Sequence, residues 1–168
     1  MTDSFAKTYE NLQRQSFRKT INKVWNMVKE DNLSILDQAE QKLSLIIMDH
    51  KEYSDYFENK DLLDGREYKM GEGLNPFLHI SLHQMVEDQL ALETPIEAIL
   101  FCESLEMTGY SRHEAIHAII MILIHLIYDA YKKEKPINEE QYKRLLVKCS
   151  KVKPSEIQSV VELEFTSN

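Results

Sequence analysis

The residues of this chain best suited to chemistry are its histidines. There are six, His50, His79, His83, His113, His117 and His125. Four of them form two i, i+4 pairs, in His79-Ile80-Ser81-Leu82-His83 and in His113-Glu114-Ala115-Ile116-His117. At about 100° per residue, such a pair leaves one face of a helix. His79 and His83 share a stripe with Leu82, Val86 and Leu90, and His113 and His117 share one with Ile116, Ile120, Ile124, Ile127 and Tyr128. Both pairs are therefore expected to face a core rather than water.

Inward imidazoles need partners. A lone histidine on an apolar stripe is usually a hydrogen-bonded core residue, and each one left unpaired costs about 1–3 kcal/mol. A metal ion satisfies four at once, and a structural zinc site returns about 10–16 kcal/mol in small peptides. Imidazole-rich sets suit zinc, iron, copper or nickel. The expected ligands are His79, His83, His113 and His117, with His50, Glu87 and Glu114 as additional ligands or supports, and zinc or iron as the ion. Helix starts disfavour cations, and neutral imidazole is the form that ligates metal. The alternative is a non-enzymatic interaction or structural protein, its histidines held by carboxylates drawn from Glu87, Asp88, Glu103, Glu106 and Glu114.

His113-Glu114-x-x-His117 also fits the H-E-x-x-H pattern of zinc proteases, in which two His hold zinc and Glu activates water. Glu114, however, stands where a helix cap needs it, and no edge strand is evident to hold a peptide. The residues define no reaction, so whether the chain is an enzyme stays open. His125 lies well round the helix from His117 and reads as core or interface. Tyr128 and Tyr131 read as packing aromatics.

The positioning elements read as helices. Phe5, Tyr9, Leu12, Phe17, Ile21, Val24, Trp25 and Val28 recur at helical spacing and predict a helix over Asp3 to Glu30. A second is predicted from Ser34 to His50. Ser54-Asp55-Tyr56-Phe57 reads as a helical turn, and Gly65, Gly71 and Gly73 mark a loop through Leu74. Asn75-Pro76 starts a third helix ending near Leu92. Thr94-Pro95-Ile96-Glu97 reads as a capping box opening a fourth, closed by Gly109. Ser111-Arg112-His113-Glu114 opens a fifth to Lys133. Asn138 with Gln141 starts a sixth through Cys149. Beyond Pro154, the alternation Ser159-Val160-Val161-Glu162-Leu163-Glu164-Phe165 reads as a short strand or an unanchored end.

The expected fold is an all-α, up-and-down helical bundle of five to six helices, with residues 1–150 as a single domain and 151–168 as a tail. Alternating helix directions would bring both histidine pairs, and His50, to one end. The segment from Lys51 to Leu74 would lie over that end.

Composition agrees. A chain of 168 residues with four Gly and four Pro has little turn material for an all-β fold. A net charge of -8 argues against nucleic acid and against an anionic membrane surface. Two cysteines, Cys102 and Cys149, without partner spacing suit a reducing compartment, so a cytoplasmic location is expected. No leader peptide is evident. The apolar run Ala115 to Tyr128 is too short to span a bilayer. Homo-oligomer formation and protein partners are left open.

The segment Asn75-Pro76-Phe77-Leu78-His79-Ile80-Ser81-Leu82-His83 resembles the signature of an uncharacterised bacterial family known as domain of unknown function 1841. An acidic-Gln stretch similar to Glu87 to Gln89 follows in that family, then a Pro like Pro95 and a second His pair like His113 and His117. A closing Tyr-x-x-x-Leu resembles Tyr142 to Leu146. His50-Lys51-Glu52-Tyr53-Ser54 is similar to an upstream His-Pro-Glu-Tyr-His motif, but without its Pro and second His. The resemblance spans Phe17 to Leu146. It implies a shared fold and a role for the His pairs, and brings no activity with it.

Overall fold

The computed structural model describes residues 2–59 and 75–166, with side chains from Gln15 onward, and every regular element among them is helical. They form eight α-helices: α1 Thr2–Lys29, α2 Gln38–Asp49, α3 Ser54–Glu58, α4 Pro76–Ala91, α5 Ile96–Met107, α6 Arg112–Lys133, α7 Glu139–Cys149 and α8 Pro154–Thr166. Two 3-10 turns, Leu33–Ile35 and Lys51–Tyr53, precede α2 and α3. The all-α expectation holds. The expected five to six helices undercount, because α3 and α8 are helices as well. The glycine loop, residues 60–74, lies outside the described residues.

The chain divides into two compact units, the first ending at Ser81 and the second starting at Leu82, so the division falls within α4.

In the first unit, α1 packs on α2 and α3. Ile21, Val24 and Trp25 recur one turn apart on α1 and are buried with Leu43, Ile46 and Ile47 of α2 and Phe57 of α3. Trp25 and Phe57 meet edge to face at 5.8 Å. Fully burying a side chain of that size contributes about 1.5–3 kcal/mol. Asn22 of α1 donates to the carbonyls of Phe57 and Glu58, satisfying the end of the short α3. Arg18 lies 5.1 Å over the Phe77 ring and so ties the start of α4 to α1.

In the second unit, α6 packs against α5, α7 and α8. Ala115, Ile116, Ala118, Ile119, Ile120, Ile122, Leu123 and Leu126 are all buried along it. The helix is 22 residues long, and by length and hydropathy it would suit a bilayer. The apolar run within it, read as too short to span, therefore sits in a helix that is long enough. The same helix serves as the centre of the second unit's core.

Three local expectations are corrected. The residues after Pro154 form α8, which buries Ile157 and Val161, one turn apart. The alternation of apolar residues there is a by-product of a narrow helical stripe. At α5 the cap is Pro95 itself, in extended backbone after a cis Thr94–Pro95 bond and without a side-chain cap. The expected Thr94 box is therefore not formed. Helix α2 starts at Gln38, behind a capping box of Asp37 and Glu40. The box at Ser111 is formed as expected. Gly109, at φ +94, follows α5 in the left-handed region that favours glycine.

Candidate metal centre

His83 lies two turns into α4, while His113 and His117 occupy the first turns of α6. In the second unit their three rings converge. The ring centroids of His83 and His113 are 5.1 Å apart and nearly parallel at 22°. His83 and His117 are 4.7 Å apart at 74°, and His113 and His117 are 4.3 Å apart at 56°. Each ring offers one nitrogen lying within 4.8 Å of the others'. Tetrahedral ligands at about 2.0–2.1 Å from zinc lie about 3.3–3.4 Å apart. Small ring rotations would close the three nitrogens on one ion.

Local sequence explains why the rings point this way. Three-residue and four-residue steps keep side chains on one helical face. Leu82 and Val86 are buried beside His83, and Ile116 and Ile120 beside His117. His83 is 2% exposed and His117 Nε2 is shut off from solvent. The capping box pins the start of α6 beside His113. Ser111 Oγ accepts from the Glu114 backbone N–H at 3.2 Å, and Glu114 accepts from the Ser111 N–H at 2.7 Å.

The carboxylates expected to help are engaged elsewhere. Glu114 takes its hydrogen bonds from the backbone and hydroxyl of Ser111, which hold its carboxyl below the usual range. Glu87 accepts from Arg112 Nη2 at 2.8 Å, an ion pair joining α4 to α6 beside the triad. Burial pushes the Cys149 thiol up to about 11 and also raises that of Cys102, so neither supplies a thiolate at neutral pH. The candidate donors are therefore the imidazole nitrogens.

Three further sequence-selected histidines have ring partners of their own. In the first unit, His79 Nε2 lies 3.0 Å from His50 Nε2, and His50 Nδ1 donates to the Ile46 carbonyl at 2.7 Å. Tyr53 stacks on His50 at 6.1 Å and meets His79 edge-on at 5.5 Å. His125 donates from Nδ1 to the Met121 carbonyl at 2.9 Å and stacks on Phe165 of α8. Sequence reading missed Arg112, visible only as the residue between a cap and a histidine. It also missed Tyr53, whose signal was its place three residues after His50.

Further along α4, Tyr142 of α7 donates to Gln89 Oε1 at 2.7 Å. The two residues that marked the later family motifs thus meet in one hydrogen bond that ties α4 to α7.

The described residues thus define an all-α protein with a cluster of imidazoles in its second unit. The chain belongs to the family described as domain of unknown function (DUF1841), whose model matches residues 13–148. No curated protein and no solved structure matches it. The matched span contains every histidine described above.

Proposed function

We propose that this protein binds a transition-metal ion through His83, His113 and His117, with zinc or iron(II) as the ion. The observation that carries the reading is the convergence of three rings from two helices, with centroids 4.3–5.1 Å apart. His–carboxylate bonding is the competing account of these histidines, although one oxygen of Glu87 is taken by Arg112 and one of Glu114 by Ser111. His79 stays outside the donor set in this proposal, since its Nε2 faces His50.

Structural zinc sites are closed by four protein ligands, whereas catalytic ones use three and leave a position for water. Three imidazoles follow the second pattern. A bound zinc would act there as a Lewis acid, bringing its water to a pKa of about 7. Iron would add redox chemistry. What the chain's own residues supply is a set of imidazole nitrogens, walls of Leu82, Val86, Ile116 and Ile120, and a helix start fixed by its cap.

Elemental analysis of protein purified without an affinity tag or chelator tests the proposal. The expected result is a transition metal in near-stoichiometric amount. Less than about a tenth of an equivalent, with no uptake on reconstitution, would overturn it, because a preformed imidazole site binds available metal.

A further inference from the structure

The first unit contains a second imidazole constellation that the proposed centre does not use. His50, 1% exposed, caps the C-terminus of α2 and begins the turn into α3. His79 lies in the first turns of α4. The Nε2 atoms of the two rings are 3.0 Å apart, with ring planes at 71°.

The hydrogen bonds fix what each nitrogen can do. A carbonyl oxygen only accepts, so the Nδ1 facing Ile46 O at 2.7 Å is the protonated nitrogen of His50. In the neutral ring, Nε2 then carries a lone pair and faces His79. A ring N–H anchored on a backbone carbonyl, leaving the other nitrogen to the ion, is the arrangement found behind most metal-ligating histidines. It sets the tautomer and the ring direction in advance.

The spacing fits as well. With metal–nitrogen bonds of about 2.0–2.1 Å, two nitrogens 3.0 Å apart subtend roughly 90–97° at a shared ion. That is the angle between neighbouring ligands in octahedral or square geometry. Without an ion, His79 Nε2–H donates to His50 Nε2. With an ion, His79 carries its proton on Nδ1 instead, and both lone pairs turn to the metal. One hydrogen bond is exchanged for two coordinate bonds, with no net proton released. Tyr53 walls both rings and stays a neutral phenol, because burial, Glu52 and Tyr56 all raise its pKa.

We infer that His50 and His79 form a second metal position, of cis geometry and completed by water, so that the chain binds two ions through two different sets of imidazoles.

The test is a metal count on the full-length, tag-free chain, stripped with chelator and titrated separately with cobalt(II) and zinc(II). The variants are His79→Gln, His50→Gln and the double variant His83→Ala/His117→Ala. Glutamine at 79 keeps a donor for His50 Nε2 but is a poor metal ligand, so it separates coordination from packing. His79→Gln decides the matter if the more buried His50→Gln fails to fold by circular dichroism. The expected result is two ions in the wild type, one in His79→Gln and one in the double variant. A single ion lost in both variants means one shared centre and overturns the second position while leaving the metal reading intact. A single ion lost only in the double variant means His50 and His79 are a hydrogen-bonded core pair, and also overturns it. A single ion lost only in His79→Gln supports this position and removes the proposed triad. No ion in the wild type overturns both.

Discussion

The two imidazole groups reach order by different routes. The triad takes its geometry from helices: His113 and His117 ride one long, capped helix whose apolar stripe is buried, and His83 rides another. The His50–His79 pair takes its geometry from hydrogen bonds, one to the Ile46 carbonyl and one between the rings. Packing fixes where a side chain can be, and a hydrogen bond fixes which nitrogen carries the proton. The first group should therefore respond most to changes in helix packing and caps. The second should respond most to changes in its own rings.

The largest expected effect lies in the scaffold of the triad. Helix α8 packs on α6 and α7, and it buries Ile157 and Val161 fully. Ile157→Ala removes methylenes from a packed site, and such changes cost about 2–5 kcal/mol. Chemical denaturation of the variant should show a loss of that size. A loss under about 1 kcal/mol, typical of surface positions, would mean α8 does not hold α6.

The second effect is on metal. His83→Ala/His117→Ala removes two of three ligands. At a metal concentration of about 100 Kd, binding stabilises by about 2.7 kcal/mol, roughly 5–10 °C in Tm for a chain of this size. The wild type should show that shift between metal and chelator, and the double variant should lose the triad's share of it. Equal shifts in both proteins would place the metal elsewhere.

The third effect is smaller and concerns the cap beside His113. Ser111→Ala removes one side-chain acceptor from the start of α6 and should cost about 1 kcal/mol, or about 2–4 °C in Tm. Its partner adds a pH signature. Glu114's carboxyl is held below its ordinary value of 4.5. Its contribution is thus fully present above that value and is lost as pH falls through the lower folded value. Melting curves of wild type and Glu114→Gln should differ at pH 7 and converge in acid. A gap that persists below the carboxyl range would assign the effect to shape rather than charge.

These regions differ in how legible they were in the sequence. The box Ser111 to Glu114 could be read because its chemistry is local: four consecutive residues satisfy one another. Asn75-Pro76 was readable for the same reason, and Asn75 does accept from the N–H groups of Phe77 and Leu78. The two His-x-x-x-His pairs could be found because helical periodicity needs no tertiary knowledge. Which histidines meet could not. His83 and His79 have identical local signals, yet one joins His113 and His117 while the other faces His50. Helix α8 was missed because only two of its residues, Ile157 and Val161, are fully buried, and two anchors make too thin a stripe beside Val160, Leu163 and Phe165. Pro154 at its first position was the readable signal. Thr94-Pro95 misled because proline suits both a first helical residue and the residue before it, and only backbone geometry separates the two.

The smallest expected effect sharpens the comparison most directly. His125 shares the device proposed for His50: its Nδ1 donates to the carbonyl four residues back on its own helix, Met121 at 2.9 Å. If carbonyl anchoring alone made a metal ligand, His125 would qualify. What differs is the neighbour. His50 faces a second imidazole nitrogen at 3.0 Å, whereas His125 faces the Phe165 ring of α8 at 6.0 Å, nearly parallel at 24°. An aromatic ring offers packing and no lone pair. His125→Ala should therefore leave the number of bound ions and their affinity unchanged. Its stability cost should be that of a lost ring contact and one hydrogen bond, about 1 kcal/mol, equal with metal and with chelator. Calorimetric titration of the variant beside His79→Gln measures the contrast. Loss of an ion on His125→Ala would show that anchoring of the ring, and not the company of a second imidazole, selects the metal positions in this protein.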